Sequence, residues 1–518
     1  MIARILGTTA ALALTAGAAS ADYSLTILHT NDFHDRFEPI SAYDGPCAAE
    51  DNTAGECFGG SARLVTALEE ARARSNNTIL VDGGDQFQGT LFYTQYKGTM
   101  TAEFMNKLGY DAMTVGNHEF DDGPEVLGAF VDAVDFPILM SNADISGEPL
   151  LADKIAKSTI IERGGERLGL IGLTPVNTPE IASTGPNITF TPPADAVQAE
   201  VDALTAEGVN KIIVLSHSGY AVDQDVASNT TGVDVIVGGH DNTLLGDMEG
   251  AKGSYPTMVG DTAIVQAYAY GKYLGELNVT FDDDGVITEA SGQPLVMDGA
   301  VAEDQPTLDR IAELAQPLEE IRNEVVGETS DVIEGNRDIC RAMECSGGNL
   351  IADAMLARVA DQGIQVAIAN SGGIRASIDA GEVTKGEVLT VLPFQNTLST
   401  FEVTGQALLD ALENGVSKVG EGDGRFPQVA GITFTVDSAA EAGARVSEVM
   451  VAGEPIDPAA TYGVVSNNFV RNGGDGYTMF TTAENAYDFG PDVADVVSDF
   501  IAENETYTPY TDGRITIN

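Results

Sequence analysis

The chain has 518 residues, more than one hydrophobic core normally serves, so two or more domains are expected. It is 43% hydrophobic and 7% aromatic, an ordinary globular composition, and 26 Lys and Arg against 79 Asp and Glu give a net charge of -53. So acidic a surface repels nucleic-acid backbones and anionic lipid, which argues against a polynucleotide partner, while a small phosphorylated substrate stays open because metal ions and a few arginines reverse the field locally.

Residues 1–21 read as a cleavable signal peptide. Arg4 supplies a basic start, Ile5 to Ala16 an apolar or small-residue run, and Ala19-Ser20-Ala21 a cleavage site before Asp22. That run is too short to span a bilayer, and no later segment reaches ~18 consecutive apolar residues. A periplasmic or secreted chain without stable membrane insertion is expected.

From about Leu25 to Val237 apolar strand-type runs alternate with helical patterns. Ser24 to His29 leads into Thr30-Asn31-Asp32 and His34. A helix over Ala62 to Arg74 precedes the run Thr78 to Val81, which ends in Asp82-Gly83-Gly84-Asp85. A helix over Thr101 to Leu108 precedes Ala112 to Val115, then Gly116-Asn117-His118-Glu119. A helix over Ala194 to Glu207 precedes Lys211 to Leu215, which ends at His217, and Val233 to Val237 ends at His240. Residues 263–300 read as β with turns. The expected first domain is 22–302, and 303–325, charged and interrupted by Pro306 and Pro317, is the expected linking helix. A smaller αβ domain follows over 326–518. It has a helix at Gly348 to Ala360, a strand at Gln365 to Ala369 and the loop Asn370-Ser371-Gly372-Gly373-Ile374-Arg375. A helix at Gly405 to Gly415, β-runs at Ile432 to Val436 and Val446 to Met450, and a helix near Val493 to Ala502 complete it.

Four cysteines in an exported chain suggest disulfides, and their spacing favours the local pairs Cys47 with Cys57 and Cys340 with Cys345. Metal binding is disfavoured because neither pair is C-x-x-C and no histidine stands nearby.

All five histidines lie in the first 240 residues, and four of them sit where strands should end. Scarce histidine mixed with Asp and Asn over several loops reads as a two-metal centre. Asp85 is the natural bridge, Asp32 and His34 come from the preceding loop, and Asn117, His217 and His240 are neutral donors. Asn242 can reach back to the first ion. Imidazole, carboxylate and amide oxygen together suit two divalent ions such as Zn, Mn or Co. His29 falls inside its strand and reads as a buried residue rather than a ligand.

These motifs resemble the calcineurin-like metallophosphoesterases, and among them the 5′-nucleotidase and UDP-sugar hydrolase family. The resemblance rests on Leu28-His29-Thr30-Asn31-Asp32 with His34, Gly83-Gly84-Asp85, and Gly116-Asn117-His118-Glu119-Phe120-Asp121. In the second half it rests on Asn370 to Arg375 and Asn472-Gly473-Gly474-Asp475-Gly476. It implies an α/β fold: a four-layer metallophosphoesterase β-sandwich flanked by helices, joined by a helix to the smaller substrate-binding domain. It implies one metal on Asp32, His34, Asp85 and Asn242, and a second on Asp85, Asn117, His217 and His240. His118, oriented by Asp121, would contact the transferring phosphoryl group while a metal-bound hydroxide attacks in line. Arg341, Asn370, Gly373 and Arg375 would bind phosphate and sugar, Phe394 and Phe469 would stack a nucleobase, and Asp475 would take the ribose hydroxyls. The implied activity is removal of phosphate from nucleoside 5′-monophosphates, extending to UDP-sugars or nucleotide di- and triphosphates, with the oligomeric state left open. The rival readings are a 2′,3′-cyclic nucleotide phosphodiesterase or a thiosulfohydrolase on the same scaffold, or a non-catalytic nucleotide-binding or adhesion protein. The phenylalanine pair disfavours a small sulfur substrate, and the full ligand set disfavours a pure binder.

Overall fold

The computed structural model describes residues 22–518 apart from 43, 45, 46, 48, 249, 395 and 489, and apart from the side chains of 180, 181 and 337. The expected signal peptide lies outside the described residues.

Two six-stranded sheets pack face to face in the N-terminal half. The first runs, edge to edge, Ile287–Val296, Tyr273–Phe281, Tyr23–Thr30, Thr78–Asp82, Ala112–Thr114 and Ile138–Leu139. The second runs Thr257–Val259, Thr262–Val265, Val235–Val237, Ile212–Ser216, Glu166–Leu173 and Ser158–Arg163. Side chains alternate along each strand, so each sheet presents two apolar faces. Ile27, Ile79 and Val81 of the first sheet meet Leu170, Ile213, Leu215 and Val237 of the second between them. Leu28, Leu80 and Met113 point outward under the helices Ser61–Arg74 and Gly98–Leu108. Ile171, Val214 and Ile236 do the same under Pro193–Ala206 and Tyr220–Asn229. This is the expected four-layer sandwich.

The helix Gln305–Arg322 is capped by Asp304, whose carboxylate accepts from Thr307 N at 2.9 Å, and it carries Pro306 in its first turn. Ile311, Ala315 and Leu318 pack it onto the first half's outer core, and its far end meets the helix Lys385–Val391 of the second half. There a five-stranded sheet, in the order Pro427–Ala430, Val366–Asn370, Thr461–Asn467, Leu398–Thr404, Glu484–Tyr487, is covered on one face by Ser346–Arg358 and Val493–Glu503. Gly405–Val416 covers the other. Both disulfides are present, Cys47–Cys57 and Cys340–Cys345. No helix among the described residues is long and apolar enough to cross a membrane.

Candidate metal centre and substrate cleft

The loops rich in ligand-type side chains all leave the C-terminal ends of parallel strands. Tyr23–Thr30 pairs in parallel with Thr78–Asp82, and that strand with Ala112–Thr114; across the sandwich Ile212–Ser216 pairs in parallel with Val235–Val237. Loops from two facing sheets therefore meet at one edge, where α/β folds collect their chemistry.

Two groups of three result. Asp85, His217 and His240 form one and Asp32, His34 and Asp85 the other, the ligand atoms of each lying within 4.8 Å of one another. Asp85 belongs to both. Its Oδ2 is 2.8 Å from His217 Nε2 and 3.9 Å from His118 Nε2, while Asp32 Oδ1 is 3.8 Å from His217 Nε2 and 4.0 Å from His34 Nε2. Two imidazoles are fixed from behind, His217 Nδ1 by the Gly83 carbonyl at 2.6 Å and His34 Nδ1 by the Phe87 carbonyl at 3.0 Å. A carbonyl only accepts, so each Nδ1 donates its hydrogen and each Nε2 is turned towards the carboxylates.

Burial, aided by a neighbouring imidazole, pushes His34 down to about 3 and His240 down to about 4, which makes both neutral donors. Burial also opposes charge on His118 and His217. Carboxylates outweigh it there, Asp121 and Asp85 for His118, Asp85 and Asp32 for His217, and both rise to about 10. Burial pushes Asp32 up to about 7; at Asp85 burial is outweighed by His217 and His118, and the carboxyl sits below its usual range. His217 Nε2, 2.8 Å from Asp85 Oδ2, is buried without a hydrogen-bond partner, and a divalent cation held by these two residues would take the place of a proton there. The donor set fits such an ion, because Asn117 Oδ1 and Asn242 Oδ1 are sealed from solvent with no hydrogen-bond partner.

The backbone is bent to deliver these groups. Asp32, His34, Asp85, His240 and Asn242 all hold φ between 50 and 82°, the left-handed region. Gly116 leaves room for the bridge, since a Cβ there would stand 2.2 Å from Asp85 Oδ1. His118 opens a short 3-10 turn; its backbone N donates to Asp85 Oδ1 at 2.8 Å, and its Nδ1 faces Asp121 Oδ2 at 2.7 Å. His29 is fully buried and bonded to the Tyr255 hydroxyl at 2.8 Å, in neither group.

Glu119 is missing from the site read from sequence. It is fully buried and accepts from the backbone N of Gly116, Asp85, Gln86 and Phe87 at 2.7, 3.0, 2.8 and 3.2 Å. Burial and the Asp85 charge push its carboxyl up to about 7. All four partners are donors, however, so neither oxygen has an acceptor for a proton, and the geometry is that of a carboxylate.

A cleft of about 2210 Å³ opens in front of the cluster and is lined from both halves of the chain. From the first half come His34, Asp85, Asn117, His118, Asp121, His240 and Asn242; Asp32 and His217 are buried outside its lining. From the second come Arg341, Asn370, Gly373, Arg375, Phe394, Phe469 and Asp475. The Arg375 guanidinium sits 5.2 Å from the Phe394 ring centroid, and Arg341 donates to the Gly422 carbonyl at 3.0 Å. Asn370 Nδ2 donates to Asp475 Oδ2 at 2.7 Å. Phe469 is 45% exposed, a large apolar side chain left open to the cleft. Its ring lies on Gly474, where a Cβ would approach to 2.5 Å.

Residues 25–243 match the calcineurin-like phosphoesterase family and residues 325–482 the 5′-nucleotidase C-terminal domain. A 5′-nucleotidase of Diplobatis ommata is 37% identical over 96% of this chain and 90% of its own. The chain belongs to the 5′-nucleotidase family. A 5′-nucleotidase precursor from Thermus thermophilus superposes with a TM-score of 0.70 at 41% identity, covering 96% of this chain and 99% of that one. The NAD nucleotidase of Haemophilus influenzae gives 0.67 at 26% identity, covering 96% and 100%. Family membership makes the chain a metal-dependent phosphoric ester hydrolase and implies divalent metal ions, for which the two Asp85 groups are candidate sites.

Proposed function

We propose that the chain is an exported nucleotidase that removes phosphate from nucleoside 5′-monophosphates and also hydrolyses UDP-sugars or nucleotide di- and triphosphates. Asp85 carries the reading: it is common to two ligand groups in a cleft that also presents Phe394 and Phe469. In this reading Asp32, His34, Asp85 and Asn242 would hold one divalent cation, and Asp85, Asn117, His217 and His240 would hold the other. Zn, Mn and Co suit these donors. Such cations, when bound, lower the pKa of coordinated water towards ~7 and offset the charge of a phosphoryl group.

The chain's own groups do the rest. Asp121 orients His118 and keeps its imidazole charged, so His118 donates to the phosphoryl oxygens as negative charge develops. Arg341, Asn370, Gly373 and Arg375 hold phosphate and sugar, Phe394 and Phe469 stack the base, and Asp475 accepts from the ribose hydroxyls. Residues 22–302 form the catalytic domain and 326–518 the nucleoside domain, with 303–325 as the hinge on which they close. The cleft volume supports that motion, since it exceeds the ~300–1,000 Å³ of a typical small-ligand site. The two disulfides support export, being at home in an oxidising compartment.

The test is phosphate release from AMP, 2′,3′-cyclic AMP and UDP-glucose by the purified chain, with metal content measured on the same sample. AMP turnover that stops on chelation and returns with Mn²⁺ or Co²⁺ is expected. Turnover of the cyclic substrate alone, or activity indifferent to the chelator, rejects the reading.

A further inference from the structure

Arg36 stands two residues beyond His34 and lines the same cleft, yet it is only 7% exposed. Its guanidinium forms no hydrogen bond and no ion pair with any described residue, and its Nε is sealed from solvent. Among the described residues a ring is its only direct partner. Its Cζ lies 5.3 Å from the Tyr270 centroid, and the Tyr270 ring lies 5.6 Å from that of His34. The carboxylates whose charge reaches it form no ion pair with it, although Asp35 Oδ2 is itself buried without a hydrogen-bond partner. Asp35 accepts from the Thr101 hydroxyl at 2.8 Å, and Asp44 holds Lys272 Nζ at 2.8 Å and the Tyr268 hydroxyl at 2.6 Å.

The other arginines buried to this degree are handled differently. Arg63 donates to the Gly59 carbonyl at 3.1 Å and to Asn52 Oδ1 at 2.7 Å, and Arg514 donates to Asp353 Oδ1 at 2.7 Å and to the Val429 carbonyl at 2.8 Å. Withdrawing a guanidinium from water without a counter-charge costs several kcal/mol, and a cation–π contact returns only ~0.5–2 kcal/mol. A group that stays charged, offers a planar fork of donors and faces a cleft is matched by an anion with paired oxygens.

We infer that Arg36 is an anion-binding residue of the cleft, taking a phosphoryl oxygen of the bound nucleotide or of the orthophosphate released. The inference rests on the nucleotidase reading above and adds to it a contact from the catalytic half. Tyr270 lies beside the guanidinium, and Arg341 and Arg375 of the second half line the same cleft.

The test uses the metal-loaded full chain carrying Arg36→Met. Orthophosphate and adenosine binding are measured by calorimetry, AMP and ADP turnover by steady-state kinetics, and metal content by mass spectrometry. A phosphate Kd weaker by roughly tenfold to a hundredfold is expected, the range of a lost charge-assisted hydrogen bond. Adenosine affinity and metal content stay as in the native chain. A KM increase confined to ADP assigns the contact to a second phosphoryl group; an increase for AMP assigns it to the transferring one. Unchanged phosphate binding with unchanged KM for both overturns the inference, and so does loss of metal, which would make Arg36 a support of its loop. Arg36→Lys keeps the charge without the fork and covers a Met variant that does not fold. It is expected to lose part of the phosphate affinity, and native affinity there overturns the inference equally. A native chain that hydrolyses neither nucleotide defeats the underlying reading before any variant is made, and phosphate binding then still judges Arg36.

Discussion

Glu119→Gln tests whether a buried carboxylate sets the geometry of the metal loop. The change is isosteric, so it leaves no cavity and its effect is confined to hydrogen bonding. Oε2 accepts from Asp85 N and Gly116 N, and Oε1 from Gln86 N and Phe87 N. Whichever way the new amide turns, its NH₂ faces one of these pairs, leaving two backbone donors buried and unsatisfied. Each costs ~1–3 kcal/mol, so the loss is about 2–6 kcal/mol, a large part of a typical ~5–15 kcal/mol of stability. Urea unfolding followed by tyrosine fluorescence reads the loss directly, since the chain has no Trp. Competition with a chelating dye reads metal affinity, which should fall together with stability because Asp85 N is one of the four donors. A loss below ~1 kcal/mol with native metal affinity would refute the reasoning, meaning that the loop keeps its shape without the anion.

Further outcomes follow from the same geometry. Asp85→Ala removes a ligand shared by both groups, so metal content should fall to zero and turnover by far more than the ~10–100-fold typical of an outer partner; retention of one ion would show that the groups are independent. Phe394→Ala should raise KM for AMP about 5- to 100-fold with little change in kcat, because stacking is felt equally in ground and transition states. Gly474→Ala drives a methyl into the Phe469 ring, and adenosine affinity measured by calorimetry should fall while metal content is untouched. Replacing Cys340 and Cys345 with Ser opens a crosslink of sequence separation 5 and should cost about 2 kcal/mol on the chain-entropy model. It should also raise KM, because Arg341 lies within that loop.

What is legible in the sequence depends on how completely an element is buried. Ile79 to Val81 and Ile213 to Leu215 are covered on both faces, so each reads as an unbroken apolar run ending abruptly in Gly, Asp or His. The antiparallel hairpin of Ser158–Arg163 with Glu166–Leu173 is not read, although it forms one edge of the second sheet. Its outer strand is only half-buried, and Glu162, Arg163, Glu166 and Arg167 at the turn break the apolar signal. Glu119 escapes for another reason. Beside a motif histidine it looks like an exposed polar residue, and only the unpaired N–H groups of the loop over 85–87 turn it inward. That demand is a property of the folded backbone and leaves no trace in composition.

The left-handed backbone at five of the proposed ligands explains why the site is built from paired loops. Each such residue costs on the order of 1–3 kcal/mol and persists only where its surroundings over-determine it. Glycine would remove the cost but also the ligand. The chain instead zips the two loops together: Asp32 N donates to the Gly84 carbonyl at 2.9 Å, His34 N to Asp85 O at 3.2 Å, and Asp35 N to Gln86 O at 3.0 Å. These bonds extend the parallel pairing of Tyr23–Thr30 with Thr78–Asp82 beyond the sheet, and Tyr270 N closes the other side on Asp32 O at 2.7 Å. Asp32, His34 and Asp85 are thus spaced by backbone hydrogen bonds between their loops. Loop pairing ties Asp32 and His34 to Asp85, the residue that the two ligand groups have in common.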